Sequence, residues 1–177
     1  NASLPTWSDR KIFTSNGTSG EAFPTTGQLA LLARTGSALN YPVTAVNNAN
    51  YIKGDASQEE DQGVGVLRDR TIRLGDIVGS SPAYVKETNT IYVGANDGML
   101  HAFDARNGRE LFAYVPSIIN FNHLSTLSRG DYAHKFFVDG PIAVSSRTLT
   151  PGRSLLVGTL GKGGKGLYSL DVTNPAA

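Results

Sequence analysis

One pattern constrains this chain more than any other: a strand, turn, strand unit that occurs twice. Val93-Gly94 followed by Leu100, Phe103 and Asp104 returns as Val157-Gly158 followed by Leu167, Leu170 and Asp171. The second copy holds three extra residues, in the glycine-rich LGKGGKG. Upstream, SSPAYV (Ser80 to Val85) has a counterpart in DGPIAV (Asp139 to Val144), with Pro82 against Pro141. A partial echo sits near the start, where RKIF (Arg10 to Phe13) matches RELF (Arg109 to Phe112). Internal repeats of this kind decide the architecture before any single residue does.

The simplest unit has four strands: Pro82 to Val85, Thr90 to Gly94, Met99 to Asp104 and Glu110 to Tyr114. Alternation puts Leu100, Ala102 and Asp104 on one face and Met99, His101 and Phe103 on the other. Asn107-Gly108 predicts a two-residue hairpin turn in which both residues take positive φ, and Asp97-Gly98 repeats that chemistry. Four-stranded units repeated in this way predict an all-β chain built from quinoprotein-like β-propeller blades, with short helical insertions. Pro82 and Pro141 stand 59 residues apart, a spacing stretched by an insertion over 117–135. The expected organisation is the end of a preceding blade over 1–15, a long insertion over 16–73, a complete blade over 74–116, the insertion over 117–135, and most of a further blade over 136–177. That is a partial propeller of about two to three blades, fewer than the four or so that close a ring. A fragment of one propeller domain is therefore expected, oligomeric or aggregation-prone where blade edges stay open. Within the long insertion, Leu29, Leu32 and Ala33 predict a short helix inside 27–40. SQEEDQG, the acidic centre of the stretch 48–71, reads as an exposed loop.

Composition narrows the function classes. Net charge is +1 and the basic residues are scattered, so neither nucleic acid nor an anionic membrane surface is an expected partner. No apolar run reaches the roughly 18 residues of a transmembrane segment, and NASLPTW lacks the layout of a signal peptide. The absence of Cys excludes disulfides, thiolate metal sites and a cysteine nucleophile. Gly79-Ser80-Ser81-Pro82 is not a nucleophile elbow, and GKGGKG lacks the Lys-Ser/Thr ending of a phosphate loop, so it is expected to be a flexible hairpin. No catalytic residue is assigned.

GDIVGSSPAYV, IYVGANDGMLHAFDARNGRELFAYVPS, FFVDGPIAV and LLVGTLGKGGKGLYSLDVTNP, with YIKGD and LRDRT upstream, resemble the C-terminal propeller of the PilY/PilC family of type IV pilus biogenesis factors and tip-associated adhesins. The resemblance covers most of 51–175. It implies export through the periplasm to a pilus-associated outer-membrane or cell-surface location, with roles in pilus assembly, retraction control, twitching motility and adhesion. Pilins, minor pilins and a host-surface receptor are the implied partners. It also implies a calcium-binding loop, which needs Asp or Asn at alternate positions. No D-x-D-x-D run occurs here, so no cofactor is expected within this segment, and calcium is expected at a loop outside it.

The remaining candidates are weighed against turn chemistry. Asn96, Asp97 and Asp104 could supply oxygens to a cation between two strands. The competing reading is that Asp97 and Asp104 cap turns, favoured because Asp171 repeats Asp104. His101 faces Tyr168 in the repeat, so an aromatic-sized strand residue explains both. His123 and His134, with Asp131, lack zinc spacing. Lys53-Gly54-Asp55 could be read by an integrin-type receptor, or Gly54 could end a helix with Asp55 capping the next segment. Arg68, Asp69, Arg70 and Asp76 could form ion pairs tying the insertion to the blade, each worth about 0–1 kcal/mol if exposed. The expected function is a non-enzymatic pilus assembly and adhesion factor. A quinone-dependent dehydrogenase and an outer-membrane assembly scaffold are the alternatives.

Overall fold

The computed structural model describes residues 3–63 and 65–176; the expected boundaries at Asn1, Ala2 and Ala177 lie outside the described residues. Its elements are β1 (Ile12–Ser15), β2 (Gly20–Ala22), α1 (Thr26–Leu32), α2 (Ala45–Lys53), β3 (Ala83–Val85), β4 (Thr90–Gly94), β5 (Leu100–Asp104), β6 (Glu110–Tyr114), α3 (Phe121–Leu124), β7 (Ile142–Val144), β8 (Leu155–Thr159) and β9 (Leu167–Asp171). Strands β3 to β6 run as one antiparallel meander, at the positions that the alternation marks.

The turns explain the meander, with one correction. Gly98 and Gly108 take φ of 93° and 74°, but neither Asp97 nor Asn107 has positive φ. The β5–β6 connection is a four-residue loop in which Gly108 donates to the Asp104 carbonyl at 2.8 Å. A type I turn followed by a left-handed glycine fills such a loop, and the extra length brings a bulge at Ala102/Phe103. Asn107 contributes through its side chain, which accepts from the Arg109 amide at 2.9 Å.

The sheet extends beyond this meander. Its six strands run in the order β2-β1-β6-β5-β4-β3. Residues expected at the end of a preceding blade instead join this sheet, because β6 has a free edge and β1 pairs with it in parallel, Ile12 against Ala113 and Phe13 against Tyr114. The likeness of RKIF to RELF is thus a likeness between neighbours. Strand β2, inside the stretch expected to hold no strands, pairs antiparallel with β1. A second sheet, β7-β8-β9, has three strands. One core joins the two sheets: Tyr114 and Tyr168 lie with ring centroids 5.8 Å apart, and Tyr92, Leu100, Val138 and Leu156 are buried between.

The two insertions form a helical lobe against the first sheet. Helix α1 begins with a capping box, Thr25 with Gln28, and stops before Ala33, which is extended; it is the short helix expected here, one residue ahead of the stretch 27–40 at its start. Arg34 then bridges to Val43. Ahead of the acidic SQEEDQG, whose Ser57 and residues 60–63 are exposed while Glu59 is buried, the chain forms α2, which buries Asn48, Ala49, Tyr51 and Ile52. Thr44 caps its start through the Asn47 amide, and Gly54, at φ 111°, closes it. Asn48 is fully buried and satisfies all its polar valence. Its amide donates to Leu32 O at 2.7 Å and Ser125 O at 2.9 Å, and its carbonyl accepts from the Ser128 hydroxyl at 2.8 Å. One side chain therefore fastens α1, α2 and the second insertion together. Leu124 and Ile119 of that insertion close over Gly98.

The segment leading into β7 passes so close to β4 that it leaves no room at Gly94. A Cβ there would lie 2.2 Å from Val138 O and 2.9 Å from Val138 Cγ1. At Gly20 the nearest atom to such a Cβ is 3.9 Å away. Gly94→Ala should therefore lower the unfolding free energy by about 2 kcal/mol, read as a lower urea midpoint at unchanged slope. Gly20→Ala should stay within about 0.5 kcal/mol of the parent.

Candidate functional site

The face of the first sheet that meets the helical lobe carries a chain of four charges. Strand alternation puts His101 and Glu110 on this face, Asp97 enters from the β4–β5 turn, and Arg10 reaches in from just before β1. Arg10 donates through Nε and Nη2 to the two Glu110 oxygens, at 2.6 and 2.7 Å. Glu110 Oε1 faces His101 Nδ1 at 2.8 Å, and His101 Nε2 lies 3.2 and 3.1 Å from the oxygens of Asp97. Asp97 also accepts from the amides of Gly75 at 2.9 Å and Met99 at 3.1 Å. Arg10 Nη1 reaches Lys53 O at 2.7 Å, tying the end of α2 to the sheet.

All four residues are buried, so each charge is viable only because a neighbour balances it. Burial works against the His101 imidazolium, but the Asp97 and Glu110 carboxylates outweigh it and hold its pKa up at about 9. Burial likewise works against ionised Asp97 and Glu110. For Asp97 the His101 charge and hydrogen bond prevail, and for Glu110 the bonds from His101 and Arg10 do, so both stay below the usual carboxylate range. This corrects the expectation that His101 is an aromatic-sized strand residue. Tyr168 packs against Tyr114 and its hydroxyl has no partner among the described residues, whereas His101 is a buried cation with both ring nitrogens engaged. Arg10 and Glu110 had no place among the sequence candidates. The signal in the sequence was partial: alternation puts 101 and 110 on one face of the β5–β6 hairpin, while Asp97 comes from the turn before it and Arg10 from a distant segment.

The three oxygen donors proposed from sequence do not converge. Asp104 sits at the far end of β5, where Oδ1 accepts from the Arg106 amide at 2.9 Å. Asp171 makes the same bond to Thr173 at 3.0 Å, so the repeated Asp is a repeated turn. Asn96 accepts from the Phe137 amide at 3.0 Å and donates to Asp76 at 3.3 Å, which links the β4–β5 turn to the chain before β3 and to the segment just after the second insertion. Lys53-Gly54-Asp55 forms the end of α2: the Lys53 ammonium lies 5.6 Å from the Trp7 ring, and Asp55 accepts from the Ser57 amide at 2.9 Å.

The expected ion pairs around 68–76 are rearranged. Arg70 is half-buried rather than exposed, and its partner is buried Glu59, at 2.7 Å, within the insertion itself. Its guanidinium also donates to Tyr51 O and Asp55 O and lies 3.5 Å from the Tyr51 ring centroid. Asp76 pairs with His134 at 2.9 Å, and Arg68 donates to Leu127 O at 2.8 Å. Glu59, Asp61 and Asp69 come close enough to share an ion, but Arg70 already occupies both Glu59 oxygens. Among the described residues no helix is long and apolar enough to cross a membrane.

Comparison with known proteins places these features in a family context. The family described as the PilY1 beta-propeller domain matches residues 36–177. A type IV pilus biogenesis factor PilY1 homolog of Xylella fastidiosa is 38% identical over 99% of this chain and 16% of its own length. A second such homolog from the same bacterium is 49% identical over 76% of this chain and 9% of its own length. The type IV pilus biogenesis factor PilY1 of Pseudomonas aeruginosa strain PAK is 37% identical over 71% of this chain and 13% of its own length. The chain thus spans a small part of each of these relatives. No solved structure gives a significant match.

The charge chain sets a pH window for stability. His101 is raised from 6.5 to about 9, so its stabilising share is complete below 6.5 and is lost as pH climbs through 9. Asp97 and Glu110 are lowered, so their share is complete above their unfolded values and is lost as pH falls below them. Thermal melts should show stability declining from 6.5 to 9 in the parent chain. His101→Phe should remove that alkaline decline and cost about 3–5 kcal/mol near pH 6, because two buried carboxylates lose their partner.

Proposed function

The chain belongs to the PilY1 beta-propeller domain family, and from that premise we propose that it is a non-enzymatic segment of a type IV pilus biogenesis factor, acting at the pilus-bearing cell surface through protein contacts. The observation that carries this reading is the family match, which covers the later part of the first insertion with α2, the complete meander, the second insertion and the second sheet. The chemistry of the buried charges supports the non-enzymatic part. Asp97, His101 and Glu110 are the groups that could serve as acid or base, and each spends its hydrogen bonds on the others, on Arg10 or on backbone amides. A general base needs reach to a substrate proton, and these groups hold the lobe to the sheet instead.

The same reading assigns roles in pilus assembly, retraction control and surface attachment, with pilins and minor pilins as contacts and a host-surface receptor as a further one. The two insertions supply the contact surface, since extended loops on a rigid sheet scaffold commonly carry recognition. No cofactor is assigned to this segment, and calcium control is assigned to a loop elsewhere in the parent protein.

In a bacterium that carries the gene, in-frame deletion of codons 74–116 should abolish surface pili in electron micrographs and twitching on agar, and the intact gene should restore both. Unchanged piliation and twitching in the deletion strain would overturn the assignment.

A further inference from the structure

A cleft of ≈ 240 Å³ opens where three stretches distant in sequence meet: the linker 68–76, the Asn96-Asp97 turn, and the second insertion near Tyr132 and His134. Most charges lining it are already balanced. Arg70 is bound by Glu59 and Asp97 by His101, while the Asp76 carboxylate accepts from the neutral Asn96 amide and lies 2.9 Å from the His134 ring. Two guanidinium groups are left over. Among the described residues, neither Arg68 nor Arg73 makes a salt bridge.

Arg68 is nonetheless held in place. Its Nε donates to Leu127 O at 2.8 Å and its guanidinium lies 4.8 Å from the Tyr132 ring centroid. That anchoring uses Nε and a ring face and leaves the two terminal nitrogens for a ligand, a geometry that suits bidentate capture of a carboxylate. Arg73 is exposed and makes no hydrogen bond through its guanidinium among the described residues, its stem resting beside Gly54. Size limits the ligand further. Small-molecule sites run from roughly 300 to 1,000 Å³, and this cleft is smaller, the room of one side chain or one chain end.

We propose that the cleft receives a carboxylate from a partner polypeptide, an acidic side chain or a C-terminus, gripped by Arg68 and Arg73 and flanked by Tyr132 and the exposed Ile72. The proposal rests on the reading that this segment works through protein contacts, and names the chemistry of one such contact.

Fluorescence anisotropy on the full chain tests it with three labelled hexapeptides: one rich in Glu with an amidated end, one neutral with a free C-terminal carboxylate, and one rich in Gln with an amidated end. At least one of the first two should bind while the Gln peptide does not, and which of them binds identifies the source of the carboxylate. Arg73→Ala and Arg68→Lys should each weaken binding about tenfold, and the exposed, distant Lys86→Ala should leave it unchanged. The proposal is overturned if neither carboxylate peptide binds, if all three bind alike, or if Arg73→Ala binds like the parent with an unaltered circular dichroism spectrum. The Arg73 substitution removes no contact that the fold uses, so it remains informative if Arg68→Lys unfolds. Peptide binding reads the cleft and piliation reads the functional assignment, so either can fail without the other.

Discussion

The alternating charges Arg10, Glu110, His101 and Asp97 hold together parts of the chain that have no other reason to meet. They lie where water is excluded, and an isolated charge in such a place costs several kcal/mol. Each member therefore fixes the next. Arg10 sets the position of the residues leading into β1 and takes the last carbonyl of α2, that of Lys53. Asp97 shapes its own turn and collects the amide of Gly75 from the linker. The sheet's polar face is sealed by its own salt chain, and the lobe can sit on it without leaving an unpaired group.

Around that seam the packing is ordinary, and it divides the labour between apolar and polar contacts. Leu32, Tyr51, Leu67, Leu124 and Leu127 supply the lobe's hydrophobic interior, while Asn48 specifies which segments meet there. A buried amide that makes three hydrogen bonds tolerates few alternative arrangements, because each alternative strands a donor or acceptor. The second sheet relies on shape instead, with Tyr168 against Tyr114 and a glycine where the backbones crowd.

The strands of the meander were legible because alternation and glycine turns are local signals. The four strands of the meander fall within a residue of where the alternation and the glycine turns put them. The parallel pairing of β1 was not legible, since RKIF reads as a strand whatever its neighbour is. Of α2 only its end at Gly54 was legible, because its apolar positions matter only once the second insertion covers them. At the candidate site, Asp104 and Asp171 could be read as turns because each acts within two residues of itself. The role of His101 could not, because it depends on Arg10 and on the β5–β6 register. Resemblance gave the family, and the family match upheld it; the arginine cleft needed three-dimensional neighbours from three separate segments.

The parallel pairing of β1 with β6 also orders events in time. Arg10 and Glu110 are separated by 100 residues, as are the other partners along this seam within a residue or so. During synthesis from the N-terminus the first strand emerges with its hydrogen-bonding edge and its cation unmatched, and stays so until the fourth strand of the meander follows it. Long-range closure of this kind is slow, because the loop must be ordered before the contact rewards it. The buried histidine likewise waits for both of its acids. The start of the chain is therefore among the last parts to find its place, and whatever shelters Ile12 and Phe13 in that interval shapes the yield of folded protein.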